Sequence, residues 1–249
     1  MVSHHDERLP MSDITEKIRK LLDKASATEF AAEAESFMAA ATRLMAIHDV
    51  SEAAVRAAGG AQSTEVINKT FTFSAPYAKG KMMIGHALAN ALDMKDILVV
   101  DNKSTKVLSV FGTKETLDYF ESLHTSVSLH AVGEMMKARK PEWEHGRTFR
   151  ASFLDGYGNR IGGVIRDARN EGRTEAWEGL TPEQNAGVGL VLRSDAERVE
   201  QAFTKAHPKT RTTTRSYTQG SGSHAGSRAA GNFSAHRGSV GGSRGALGA

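Results

Sequence analysis

The chain has no cysteine, only five prolines and, at 6%, few aromatic residues. Without cysteine there are no disulfides and no thiolate metal ligands, which excludes zinc ribbons and fits a reducing cytoplasm. Long apolar runs are missing as well. No stretch approaches the ~20 residues that a membrane-spanning helix requires, so no membrane partner is expected. The opening MVSHHDERLP lacks the apolar core of a signal peptide. There is no GxxxxGK[ST], and Ala78-Lys79-Gly80-Lys81 is no substitute, because a phosphate loop must join a strand to a helix so that backbone amides converge. There is no GxSxG elbow and no HExxH, and Ser152 and Ser221 read as ordinary surface serines. No cofactor is expected.

One absence is local. From Thr204 to Ala249 there is no Asp or Glu, but there are seven cations: Lys205, Lys209, Arg211, Arg215, Arg228, Arg237 and Arg244. Residues 1–203 keep 25 basic and 29 acidic side chains, so an acidic body ends in a basic segment. Such polarity points to a polyanionic partner, or to a solvated end that contacts the body. Tyr217 and Phe233 lie among these cations and could stack on bases. Arg and Lys against phosphates bind without sequence preference, so nonspecific nucleic-acid binding is the leading expectation for these seven residues. The last thirty residues hold nine Gly and six Ser, a composition expected to be flexible.

What is present is a core. Hydrophobic residues make up 39% of the 249 positions, enough for one large or two small domains. Asp13 reads as an N-cap, with Glu16 placed for a capping box. Ile14, Ile18, Leu21, Leu22 and Ala25 recur at helical spacing, with Lys17, Arg19, Lys20 and Lys24 mostly opposite. Thr28 is placed to cap a second helix, whose stripe is Phe30, Ala34, Phe37, Met38, Ala41, Leu44 and Met45. The alanines between allow close approach, so an antiparallel helical hairpin that docks on the rest of the chain is expected. Ser51 is placed to cap a further short helix, and Gly59-Gly60 to stop it.

The hairpin sequences ITEKIRKLL (14–22) and ASATEFAAEAESFMAAATRLMAIHDV (25–50) resemble domain-of-unknown-function family 2786 of bacteria and phages. RTFRASFLDGYGNRI (147–161), GLVL (189–192) and GSRGALG (242–248) resemble its frequent companion, family 7168. The resemblance implies a fold and a phage or actinobacterial setting. It supplies no catalytic residue.

Downstream, Val66 to Phe73 is β-prone and ends at Pro76; Gly80–Leu92 is helical; Ile97–Val100 and Lys106–Phe111 form a strand hairpin. A long helix runs from Gly112-Thr113 to about Lys140 and another from Thr148 to Glu171, with Gly172 as C-cap. The glycines at 156, 158, 162 and 163 imply close packing against a neighbour, or a break near Gly158. Thr181-Pro182 starts a turn or short helix, Gly189–Leu192 reads as a strand, and Ser194-Asp195-Ala196-Glu197 as a capping box. The expected class is α+β: a leader (1–12), a helical hairpin (13–58), an α+β unit (64–206) and a Gly/Ser/Arg-rich tail (207–249), with the hairpin and unit forming one domain or two.

Two rival functions stay open. His130 and Glu134 stand one helical turn apart, and with the Glu142, Glu144 and His145 loop they could serve a metal-dependent hydrolase, or be an ordinary i,i+4 pair on a solvated helix. His124 falls off that face. The alanine-rich hairpin could instead dock on a protein partner.

Overall fold

A computed structural model describes residues 11–28, 30–59, 64–210 and 218–235. The elements run α1 (Met11–Ala27), α2 (Ala31–Ala57), β1 (Val66–Ser74), α3 (Ala78–Ala91), β2 (Lys95–Asp101), β3 (Thr105–Thr113), α4 (Lys114–Lys137), α5 (Gly146–Glu178), α6 (Pro182–Ala206) and α7 (Gly222–Ala235). The class is α+β, as expected.

α1 and α2 form the hairpin and dock as anticipated. Ile18, Leu22, Ala34, Met38 and Met45 share one continuous core with Phe120 and Leu123 of α4 and Phe153, Tyr157 and Ile161 of α5. α1 begins two residues before Asp13. The Thr28 hydroxyl accepts from the Phe30 amide and donates to Glu33, bridging into the first turn of α2. α2 then continues unbroken through Ser51, whose hydroxyl donates back to the Ile47 carbonyl 2.9 Å away. No separate short helix starts there, because Val50 and Ala53 continue the buried face.

The sheet is antiparallel, in the order β1-β3-β2. Phe71 and Phe73, two apart on β1, point to the same face. They meet Phe120 and His124 of α4 at ring-centroid distances of 4.8 and 5.0 Å. On the other face, Phe111 of β3 packs against Phe203 and His207 at 5.6 Å each.

α5 is the centre of the molecule and has no break at Gly158. Its glycines are points of close approach. A Cβ at Gly162 would lie 3.0 Å from the Ala87 carbonyl oxygen of α3, and one at Gly172 would lie 2.5 Å from the Arg43 carbonyl oxygen of α2. Gly172 is therefore no C-cap. It lies mid-helix where α2 crosses, and α5 continues to Glu178.

Two further expectations fail on α6. Gly189–Leu192 is helical, because Val188, Val191 and Leu192 lie at helical spacing against Val50, Ala53 and Ala54 of α2. Ser194-Asp195-Ala196-Glu197 lies inside this helix. The N-terminal cap is Thr181, with a capping box to Gln184 and Pro182 in the first turn. Asp195 instead accepts both terminal nitrogens of Arg56, at 3.0 and 2.7 Å.

Part of the glycine-rich end is helical. Gly222–Ala235 forms α7, which packs along α5 and buries Ala229 and Ala230 in the main core. A Cβ on Gly226 would stand 1.9 Å from the Phe153 carbonyl oxygen, and one on Gly156 would stand 2.1 Å from that of Ser223. Only hydrogen at these positions lets the two backbones touch. The preceding segment is tied down by the body. The Thr218 amide donates to Asp155 at 2.7 Å, and Ser221 donates from its amide and hydroxyl to Glu144.

Candidate functional site

Of the seven expected phosphate-binding cations, three fall within the described residues. Lys205 ends α6, Lys209 follows it, and Arg228 stands on α7; all three are exposed. None makes an ion pair with a described residue. α6 lies on α2 and the sheet while α7 lies on α5, so Lys205 and Lys209 stand apart from Arg228 in the fold. Arg211, Arg215, Arg237, Arg244 and Tyr217 lie outside the described residues, as does the 242–248 segment.

A second group of cations surrounds the α4–α5 connection. Pro141 follows the end of α4, and the loop is then fixed from within. Lys140 Nζ donates to the carbonyls of Pro141 and Glu144, both at 2.8 Å. Glu144 is buried with its carboxylate turned toward Ser221. The His145 ring caps α5 by accepting from the Arg147 amide at 3.2 Å. Trp143, between these anchors, is 80% exposed. Arg139, Arg147 and Arg150 are exposed and form no ion pair with a described residue. Lys137 pairs with Glu134 at 3.0 Å. Sequence reading passed over Trp143. The available signal was a lone tryptophan in a stretch with five cations between Lys137 and Arg150.

The residues suggested for metal chemistry do not converge. His130 is buried; its Nδ1 lies 2.9 Å from the Tyr157 hydroxyl and its Nε2 lies 3.3 Å from Glu35 Oε1. Burial, with Glu35 and Glu134 nearby, holds the Tyr157 hydroxyl well above its ordinary pKa, so it stays protonated. This cluster locks α2, α4 and α5 together. His124 turns to the Lys81 carbonyl at 3.1 Å, and burial lowers its pKa. Glu144 and His145 serve the loop as described. Among the described residues no three His, Asp or Glu side chains are grouped to share an ion. Ser152, read as a surface serine, is buried and donates to the Phe149 carbonyl.

A polar cleft of about 90 Å³ opens where α2, α5, α6 and the sheet meet. Its charges alternate. Arg169 reaches Asp93 at 2.6 Å and Asp49 at 3.3 Å, and Arg173 reaches Asp93 at 2.9 Å. Arg56 and Arg198 share Asp195. Burial would raise Asp93, but the two guanidiniums outweigh it and hold the carboxyl low. Asp93 takes the left-handed backbone conformation, φ 58°, that closes the turn from α3 into β2. Cations and carboxylates balance here, so the cleft is an internal clamp with little net field for an ion.

Residues 13–52 match the family model described as a protein of unknown function (DUF2786). The match covers α1 and most of α2, the hairpin alone. No curated protein and no solved structure matches the chain. Among the described residues no helix is long and apolar enough to cross a membrane.

Proposed function

We propose that this protein is a cytoplasmic accessory protein of the phage or mobile-element kind that associates with nucleic acid, or with a partner bound to it, by charge and without catalysis. The observation that carries this reading is the unequal use of its cations. Those of the cleft are matched by Asp49, Asp93 and Asp195. Lys205, Lys209 and Arg228, like Arg139, Arg147 and Arg150, face solvent without a carboxylate partner among the described residues. Unmatched guanidinium and ammonium groups bind phosphate and release its counterions. The inward commitment of His130 to Tyr157 and Glu35 supports holding over hydrolysis. The family 7168-like segments and the phage setting remain part of this proposal.

The test is a gel-shift titration of the full chain at low and moderate salt. Deleting residues 208–249 is a poor control, since it removes α7 from the core. A truncation after Ala235 and the triple change Lys205→Gln, Lys209→Gln, Arg228→Gln leave α7 in place. Each lost phosphate contact should shallow the logarithmic salt slope by about 0.7–0.9. No binding by the full chain at low salt, or the same slope in every variant, rejects the reading.

A further inference from the structure

We propose that Trp143 is a stacking platform for an unpaired nucleobase, with Arg139, Arg147 and Arg150 on the neighbouring phosphates. The inference rests on the nucleic-acid reading and sharpens it, because it selects single strands over duplex.

An indole left 80% exposed forgoes the stabilisation that burial would bring, yet here it is held out by a well-built loop. Four internal contacts fix the loop: the two carbonyl bonds from Lys140, the bond from Ser221 to the inward-turned Glu144, and the His145 cap. The loop that carries the ring is thus preorganised, so its backbone has little entropy left to lose on binding. Its charged neighbours decide the partner. Arg139, Arg147 and Arg150 are cationic and unmatched among the described residues, and Glu142 is the one exposed acid in the loop, since Glu144 is buried. A π-face in a loop flanked along the chain by unmatched guanidiniums suits a base and its flanking phosphates. In a duplex the bases are already stacked on each other, so an indole at a loop tip reaches only the backbone. A single strand offers free base faces, and stacking on them tolerates any sequence. The Ser221–Glu144 bonds also join this loop to the segment that leads into α7. The loop is therefore tied to the start of α7, the helix that carries Arg228.

The experiment uses the full chain carrying Trp177→Phe, which leaves Trp143 as the sole indole of the two. An oligothymidylate and a duplex of equal length are titrated at low salt while tryptophan emission and fluorescence anisotropy are followed. Quenching by the single strand is expected, with little change on adding duplex. In the native background, Trp143→Ala should weaken oligothymidylate binding about 5- to 150-fold and Trp143→Phe should restore much of it, while duplex affinity moves by less than about twofold. Circular dichroism should be unchanged, since the ring contributes little to the core. If both strands bind but emission does not respond, or Trp143→Ala weakens neither or both equally, the platform is rejected and the charge-based reading stands. The first of these results is also the one expected if the indole docks on a protein. If neither nucleic acid binds, both proposals fall.

Discussion

The α1–α2 hairpin and the α5–α7 seam are both helix pairs, and they are held together by opposite means. In the hairpin, large side chains fill the gap: Ile18, Leu22, Met38 and Met45 are almost wholly buried. In the seam, glycines take the place of large side chains at the points of closest approach. Gly156, Gly222 and Gly226 bring backbone against backbone, and α7 buries Ala229 and Ala230 in the main core with Ala225 packed against it. The first pair gains from area removed from water, the second from many short dispersion contacts and from anchoring bonds at Asp155 and Glu144. A glycine-rich composition is thus no guarantee of disorder when a complementary glycine faces it.

The difference can be broken by changing volume in each direction. In the hairpin, removal should hurt. Met38→Ala leaves a cavity at a fully buried position and should cost about 2–5 kcal/mol. In the seam, addition should hurt. Gly226→Ala places a methyl group 1.9 Å from the Phe153 carbonyl oxygen and should cost about 1–3 kcal/mol, with α7 lifting from α5. The reverse exchange in the hairpin, Ala41→Gly, should cost about 1 kcal/mol through helix propensity and lost packing. Urea midpoints at constant slope measure all three. A neutral or stabilising Gly226→Ala would mean that α7 does not rest on α5 in solution.

The same contrast explains what could be read from the sequence. The stripe Leu117, Phe120, Leu123, Val127, Ala131, Met135 is large, regular and wholly buried, and α4 was legible from it. Phe71 and Phe73 announced β1 in the same way. α6 was misread at Gly189–Leu192 because three adjacent apolar residues look like a buried strand. Only the longer spacing Val188, Leu192, Val199 shows a helix face, and that requires knowing that α2 lies opposite. α7 carries no stripe of large residues. Its signal is the recurrence of small ones at Gly222, Gly226 and Ala230, which means little until a facing glycine is identified. The site was legible in part. The charge polarity was visible, but the loop that presents Trp143 depends on Glu144 bonding to Ser221, seventy-seven residues away. Likewise Glu35, His130 and Tyr157 meet from three helices, and no local pattern joins them.

The smallest effects belong to the cleft beside the hairpin's far end, where two carboxylates should respond to acid with opposite signs. Burial first, with Glu115 and Asp49 close by, raises Glu52, and His48 and Arg56 do not reverse it. The folded chain therefore binds this proton more tightly than the unfolded one, and the native state gains stability as pH falls from neutral toward the free carboxylate value of about 4.3. Asp93 is held low by Arg169 and Arg173. Its pairing is fully in place above about pH 3.9 and is lost as pH drops through its depressed folded value. Both groups have solvent access, and each effect should stay under about 1 kcal/mol. Urea midpoints near neutral pH, about pH 5 and about pH 3 separate them. Glu52→Gln should raise stability at neutral pH and flatten the gain on mild acidification. Asp93→Asn, chosen because Asn also tolerates the left-handed backbone, should lower stability at neutral pH and weaken the loss near pH 3. Equal behaviour of the two variants would mean that the cleft charges are fully solvated and add nothing to the fold.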